Sequence, residues 1–188
     1  MKHLKVKLTG IAPLILHSNQ AVDPQNYYAK EMAKVKNKKP KTEADLERMS
    51  EIEFMGGLYL DNDVVVIPTK VQAATFVKGA MKDRRGPVAK AGVFFSSHAP
   101  LDYGEQLTPD ELYASGRYTS REMVRVQQST IVRVRPIFND WSVVIPLDFD
   151  EDVIDKETIL QAWMRAGHVV GMGDWRPQHG RFSVEFVK

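Results

Sequence analysis

Apolar residues alternate from the start of the chain. Leu4, Val6 and Leu8 share one face of residues 2–9 while His3, Lys5 and Lys7 take the other, the period of a strand with one buried side. Gly10 and Pro13 interrupt regular pairing before the apolar run Leu14-Ile15-Leu16. Residues 18–41 turn polar and read as a long exposed excursion, mobile without a ligand. Thr42, followed by Glu43 and Asp45, has the chemistry of an N-cap with acidic residues in the first turn, so a helix is predicted from there, ending by Gly56-Gly57. Next comes a hairpin, with Leu58-Tyr59-Leu60 and Val64-Val65-Val66-Ile67 flanking Asp61-Asn62-Asp63. Pro68 and Thr69 introduce a second helix, in which Val71, Ala74, Thr75 and Val77 recur near helical spacing and Gly79 is small enough for close packing. It frays into the basic residues 82–87.

Val93-Phe94-Phe95 reads as a short buried strand, and residues 100–119 as an irregular loop rich in turn formers. Residues 123–136 alternate again, with Val124, Val126, Ile131 and Val134 apolar and Arg125, Gln127, Arg133 and Arg135 interleaved, and are expected to pair with residues 141–147 through an Asn139-Asp140 turn. Asp155 caps a third helix over 156–166 whose buried stripe is Ile159, Leu160, Trp163 and Met164, and residues 182–187 form the last strand. With the insertions removed, the order is strand, helix, strand, strand, helix, strand. That is an α+β, ferredoxin-like βαββαβ core in one domain over 1–188, built from residues 2–9, 71–81, 123–136, 141–147, 156–166 and 182–187, with insertions at about 18–67 and 88–120.

Composition narrows the chemistry. The 188 residues are 43% hydrophobic, enough for a continuous core, and contain no cysteine, which excludes disulfides, thiolate metal sites and cysteine nucleophiles. No apolar run approaches the ~20 residues that span a bilayer, and the start alternates where a signal peptide would be continuously apolar, so a soluble cytoplasmic protein with no membrane partner is expected. The net charge of +2 is mild, but its distribution is uneven. Positive charge gathers in residues 34–41, 78–85 and 117–135, and negative charge in 148–152.

Gly171-Met172-Gly173-Asp174-Trp175-Arg176-Pro177-Gln178-His179-Gly180-Arg181 is the densest collection of special residues. Its glycines permit close backbone approach and exposed amides that can cradle an anion. Trp175 offers a stacking face, while Arg176, His179 and Arg181 offer donors to phosphate. A tight structural connection with Trp175 in the core is the competing interpretation. Gly-Met-Gly follows a helix here, so it is not a dinucleotide fingerprint. Arg121, Arg125, Arg133 and Arg135 form a second basic group, in which Arg133 and Arg135 project from one face of an extended strand toward successive phosphates. Lys70, Lys78, Lys82, Arg84 and Arg85 form a third. Both groups read equally well as solvated surface. The histidines His3, His17, His98, His168 and His179 lack metal-ligand spacing, although His17 and His179, if they converge, supply a general acid and base for phosphodiester cleavage. The acidic residues 148–152 lack a calcium-loop pattern, and no metal or cofactor is expected.

Ile67-Pro68-Thr69 leading through Val71 to Lys78-Gly79-Ala80-Met81-Lys82, together with the terminal glycine-rich loop before a strand, resembles the RAMP superfamily, the RNA-binding proteins of CRISPR effector complexes. The likeness is nearest to the subunits that polymerise along a guide RNA, and compact phage proteins share a similar ending with Gly-Asp-Trp-Arg-Pro and Gly-Arg-Phe. The helix start differs, Pro68-Thr69-Lys70-Val71 standing where the family has Pro-Gly-Ser-Ser. The resemblance implies a modified RRM-like domain that holds a nucleic-acid backbone, with neighbouring copies stacked into a homo-oligomer or filament. Lys78 and Lys82 would then meet phosphates, Gly171, Gly173 and Gly180 would shape the loop, and Arg176 and Arg181 would lie beside the strand. The function expected is non-enzymatic, sequence-tolerant binding of single-stranded RNA or DNA, with stacking on Trp175 or on Tyr27 or Tyr28. Two alternatives stay open: a metal-independent endoribonuclease using His17 or His179, and a viral adaptor that engages or imitates a CRISPR protein. If the chain is phage-encoded, its location is the cytoplasm of the bacterial host.

Overall fold

The computed structural model describes residues 1–187, at Val126 the backbone alone, so the apolar face expected of that side chain lies outside the described residues. In chain order the elements are β1 (Lys2–Gly10), β2 (Leu14–Ile15), a 3₁₀ turn (Asn19–Val22), α1 (Tyr27–Lys36), α2 (Glu43–Gly57), β3 (Leu60–Asp61), β4 (Val64–Ile67), α3 (Thr69–Lys82), α4 (Gly86–Gly92), β5 (Val93–Phe94), β6 (Ala99–Asp102), α5 (Pro109–Ala114), β7 (Thr119–Val126), β8 (Ser129–Phe138), β9 (Ser142–Phe149), α6 (Lys156–Arg165), a π-turn (Ala166–Val170) and β10 (Phe182–Val187). The chain is α+β. It divides into two compact units, the first made of Met1–Ile15, Leu60–Gln106 and the residues from Phe138 on, the second of Leu16–Tyr59 and Leu107–Ile137.

Unit 1 is built on an antiparallel sheet with strand order β10-β1-β9-β6-β4-β3, with β5 also paired to β9. Alternation along the strands gives the sheet one dry face. Val6 and Leu8 of β1, Val143, Ile145, Leu147 and Phe149 of β9, Leu101 of β6 and Phe182 of β10 are all buried, whereas His3, Lys5, Val144 and Glu185 stay exposed. The helices bring Phe76 of α3 and Trp163 of α6 together, ring centroids 5.3 Å apart, and Trp163 lies 6.2 Å from Phe182. Each such ring contributes roughly 1.5–3 kcal/mol by leaving water. The α6 stripe turns slightly from the expected one, burying Ile159, Ala162 and Trp163 while Met164 is exposed. α3 begins at Pro68 without a side-chain cap of its own. The His98 ring substitutes, its Nδ1 accepting the Thr69 N–H at 3.3 Å.

Unit 2 packs α1, α2 and α5 with the β7–β8 hairpin. Thr42 and Asp45 close a reciprocal capping box at the start of α2, which buries Ile52, Phe54 and Met55. Phe54 meets Tyr113 of α5 at 5.2 Å between ring centroids. Gly57 is in close contact with Pro136: a Cβ there would sit 2.9 Å from the proline Cδ.

Three expectations are corrected. Residues 18–41 are largely exposed, as expected, but they hold regular structure, a 3₁₀ turn and α1, which Asn26 caps by accepting the Tyr28 N–H at 2.9 Å. Residues 100–119 hold most of β6 and all of α5, the latter fixed by a Thr108–Glu111 capping box with Pro109 in its first turn. Residues 123–136 form two strands, paired Arg125 to Thr130 and Arg121 to Val134, and Gln127 turns the chain at φ 55°. β9 therefore takes β1, β6 and β5 as its partners, in place of the strand expected from the Asn139-Asp140 turn.

Candidate functional site

The glycine-rich loop of unit 1 is fastened at several points. The Gly171 N–H donates to Ala166 O at 2.8 Å, Met172 N–H to Gly180 O at 2.8 Å, Asp174 N–H to Ile15 O at 2.8 Å, and Gly180 N–H to Pro13 O at 2.7 Å. Those amides close the loop on itself and on the segment after β1, so they do not form the open anion cradle that glycine-rich loops can provide. Two glycines are required outright. Gly173 (φ 79°) and Gly180 (φ 71°) adopt left-handed backbone, and a Cβ would stand 2.2 Å from Ile15 O in the first case and 1.8 Å from Met172 O in the second.

The fastened loop presents Trp175, itself in a left-handed conformation at φ 51°, which is rare for a bulky residue. The His179 N–H donates to Trp175 O at 3.2 Å, and the two rings meet edge to face with centroids 5.9 Å apart. His179 Nδ1 is buried and has no partner among the described residues.

Beside the loop, Gly79 sets how closely α3 approaches α6. Gly79 and Ala80 are buried, and a Cβ on Gly79 would reach 2.1 Å from Ala162 O. The opposite face of this turn of α3 therefore points outward, carrying Lys78, Met81 and Lys82, all exposed. These three, with Val169 and Val170 of the π-turn and Asp174, Trp175 and Arg176 of the loop, line an open groove of about 670 Å³. Lys78, Lys82 and Arg176 make no ion pair among the described residues, and with Asp174 in the same lining the groove holds more positive than negative charge. Such a concave cationic surface attracts an anion.

Not every basic candidate belongs to this groove. Lys70 is exposed on the first turn of α3, Arg84 is exposed at φ 61°, and Arg181 is exposed just before β10. Arg85 donates from Nη1 to Thr158 Oγ1 at 2.5 Å, tying the start of α4 to α6. The arginines of the β7–β8 hairpin belong to unit 2, and two of them are engaged by α2. Arg133 Nη1 lies 3.1 Å from Glu53 Oε1, whose partner oxygen Oε2 accepts the Val134 N–H at 3.2 Å. Arg121 Nη2 donates to Ser50 Oγ at 2.9 Å and its Nη1 is 3.9 Å from Glu47, which also accepts a short hydrogen bond from the Tyr113 hydroxyl. Burial first, then this carboxylate, pushes the Tyr113 phenol well above its usual range. Arg135 is half-buried, and Arg125 is exposed near the hairpin turn.

Among the histidines, His17 is exposed in unit 2 and its carbonyl accepts the Tyr59 hydroxyl at 3.0 Å, whereas His179 belongs to unit 1. His3 contacts Asp148 and His168 is exposed. Tyr27 is exposed, edge-on to Tyr28 at 5.4 Å. Among the described residues no three His, Asp or Glu side chains gather as a metal site, and no helix is long and apolar enough to cross a membrane. Sequence reasoning missed Val169, Val170 and Asp174 as groove residues. The only signal was their proximity to the glycines. No protein-family model matches the chain, and no curated protein matches its sequence.

Proposed function

We propose that this protein binds single-stranded nucleic acid, RNA or DNA, without catalysis and with tolerance of sequence, along the groove of unit 1. One observation carries the proposal: Lys78 and Lys82 of α3 and Arg176 of the glycine-rich loop line one open groove in excess over its single carboxylate, with Trp175 beside them. Each cation that meets a phosphate releases condensed counterions, so binding is strongest at low salt. Unit 1 is a ferredoxin-like βαββαβ core in this proposal, running β1-α3-β6-β9-α6-β10. The antiparallel order β10-β1-β9-β6 supports it, as do the positions of α3 between β1 and β6 and of α6 between β9 and β10. A relationship to the RAMP superfamily belongs to the same proposal, supported by the packing of the Lys78-Gly79 turn beside the glycine-rich loop. So does self-association along the strand, for which the outer edge of β10, unpaired among the described residues, offers free backbone groups.

Fluorescence anisotropy of a labelled single-stranded oligonucleotide provides the test. Wild-type protein should bind with a steep salt dependence, and a Lys78→Ala, Lys82→Ala, Arg176→Ala variant should bind more weakly with a log-log salt slope shallower by about 2, at roughly 0.7 per lost phosphate contact. No binding at low salt, or an unchanged slope in the triple variant, would overturn the proposal.

A further inference from the structure

Half of the groove lining has no use for a phosphate. Met81 is 60% exposed and Val169 46% exposed, and Val170 and Trp175 complete an apolar surface next to the three cations. Scattered exposed apolar residues are ordinary, but these four come from three separate elements and converge on one concavity.

Trp175 is also held in place. Its backbone takes the left-handed conformation directly after Asp174, whose N–H is anchored on Ile15 O, its own carbonyl accepts the His179 N–H, and the imidazole of His179 abuts the indole edge to face. A bulky residue in a sparsely populated conformation, fixed on both sides and bordering a groove, is the kind of outlier from which a ligand contact is inferred.

We propose that the groove holds one nucleobase flat against Trp175, with Met81, Val169 and Val170 completing its apolar enclosure and Lys78, Lys82 and Arg176 taking the attached phosphate, so that a free nucleoside monophosphate is a ligand in its own right. This rests on the reading of the groove as a phosphate-binding surface and adds a base subsite to it. Stacking of one base on an aromatic side chain corresponds to about tenfold or more in affinity.

Intrinsic fluorescence can report the event, because Trp141 and Trp163 are 4% and 0% exposed and Trp175 is the half-buried tryptophan that borders the groove. Adenosine 5′-monophosphate and ribose 5-phosphate carry the same phosphate and differ by the base. Titrated by calorimetry and tryptophan quenching, the nucleotide should bind about tenfold more tightly and quench saturably, and Trp175→Ala should remove the difference. Equal affinity of the two ligands for wild-type protein would overturn the base subsite without recourse to any variant. A single-stranded oligonucleotide and its abasic counterpart separate this failure from failure of the strand-binding proposal. Preference for the intact strand supports the subsite. Equal binding of both strands, lost in the Lys78, Lys82, Arg176 triple variant, overturns the subsite and leaves strand binding standing. Binding of neither overturns both.

Discussion

Gly79 of α3 faces the backbone of α6 so closely that an added Cβ would lie 2.1 Å from the carbonyl oxygen of Ala162 and 2.8 Å from the Cβ of Ala166. Alanine at a mid-helix glycine normally gains roughly 0.5–1 kcal/mol of helix propensity. Here the obstacle is backbone, which cannot rotate aside, and forcing extra volume into a packed contact costs roughly 1–3 kcal/mol or more. The clash wins. Gly79→Ala should lower the stability measured by chemical denaturation, and because Lys78 and Lys82 flank that position it should also weaken oligonucleotide binding. A variant as stable as wild type would show that α3 can withdraw from α6 without penalty.

Two glycines with almost the same backbone angle separate strain from crowding. Gly104 at φ 81° has open space around its missing side chain, whereas Gly180 at φ 71° has Met172 O at 1.8 Å. Gly104→Ala adds only the left-handed strain, on the order of 1 kcal/mol. Gly180→Ala adds the same strain and drives apart the two arms of the glycine-rich loop that the Met172 N–H to Gly180 O bond closes. Thermal melts should show a distinctly larger loss for Gly180→Ala, together with a loss of the Trp175-dependent fluorescence response.

The arginines of β7 and β8 make the opposite case. Glu53 accepts from both Arg133 and the Val134 amide, and Arg133 is 38% exposed at its side chain, so the pair is worth about 0.2–1 kcal/mol once solvent screening is allowed for. Arg133→Ala should therefore lower stability slightly and leave oligonucleotide affinity within about twofold, while Arg176→Ala should leave stability unchanged and lower affinity. The reverse assignment in parallel denaturation and anisotropy measurements would return the hairpin arginines to the binding surface.

The sequence made the long amphipathic elements readable because their periodicity is unambiguous. β1, α2, α3, α6 and β10 fall within a residue or so of their expected positions. β6 escaped because its alternation, Ala99 and Leu101 buried against Pro100 and Asp102 exposed, runs for only four residues and includes a proline, and the β7–β8 turn escaped because Gln127 adopts a conformation that glycine or asparagine usually announces. α5 was announced by Thr108, Pro109 and Glu111, a capping box overlooked for want of a periodic stripe in six residues. At the site, both halves of the groove were visible as motifs, but their meeting depends on bonds from the loop to Pro13 and Ile15 and on the fit of Gly79 against Ala162. No local pattern encodes these. The partner of Arg133 was hidden for the same reason: alternation shows which side chains share a face, and it does not show that Glu53 lies 80 residues away in sequence and opposite Arg133.

Asp45 gives unit 2 an acid-sensitive cap. Lys38 Nζ lies 2.6 Å from Oδ1, and the Thr42 N–H and hydroxyl reach Oδ2 at 3.1 and 2.9 Å. The lysine first and the threonine amide and hydroxyl next hold the carboxyl down at about 2, against an ordinary value of 3.8. A carboxyl whose folded value is depressed binds its proton more readily in the unfolded chain, so its contribution is fully present above about pH 3.8 and disappears as the pH falls toward about 2. Acid titration followed by circular dichroism should show wild-type protein losing stability faster across that window than Asp45→Asn, which cannot titrate there and starts less stable. Carboxyl resonances followed by NMR should move the Asp45 midpoint upward in Lys38→Ala by more than in Thr42→Ala, since the threonine variant keeps its backbone amide. Parallel acid curves for wild type and Asp45→Asn would mean that the cap is already lost, or equally populated, in the unfolded chain.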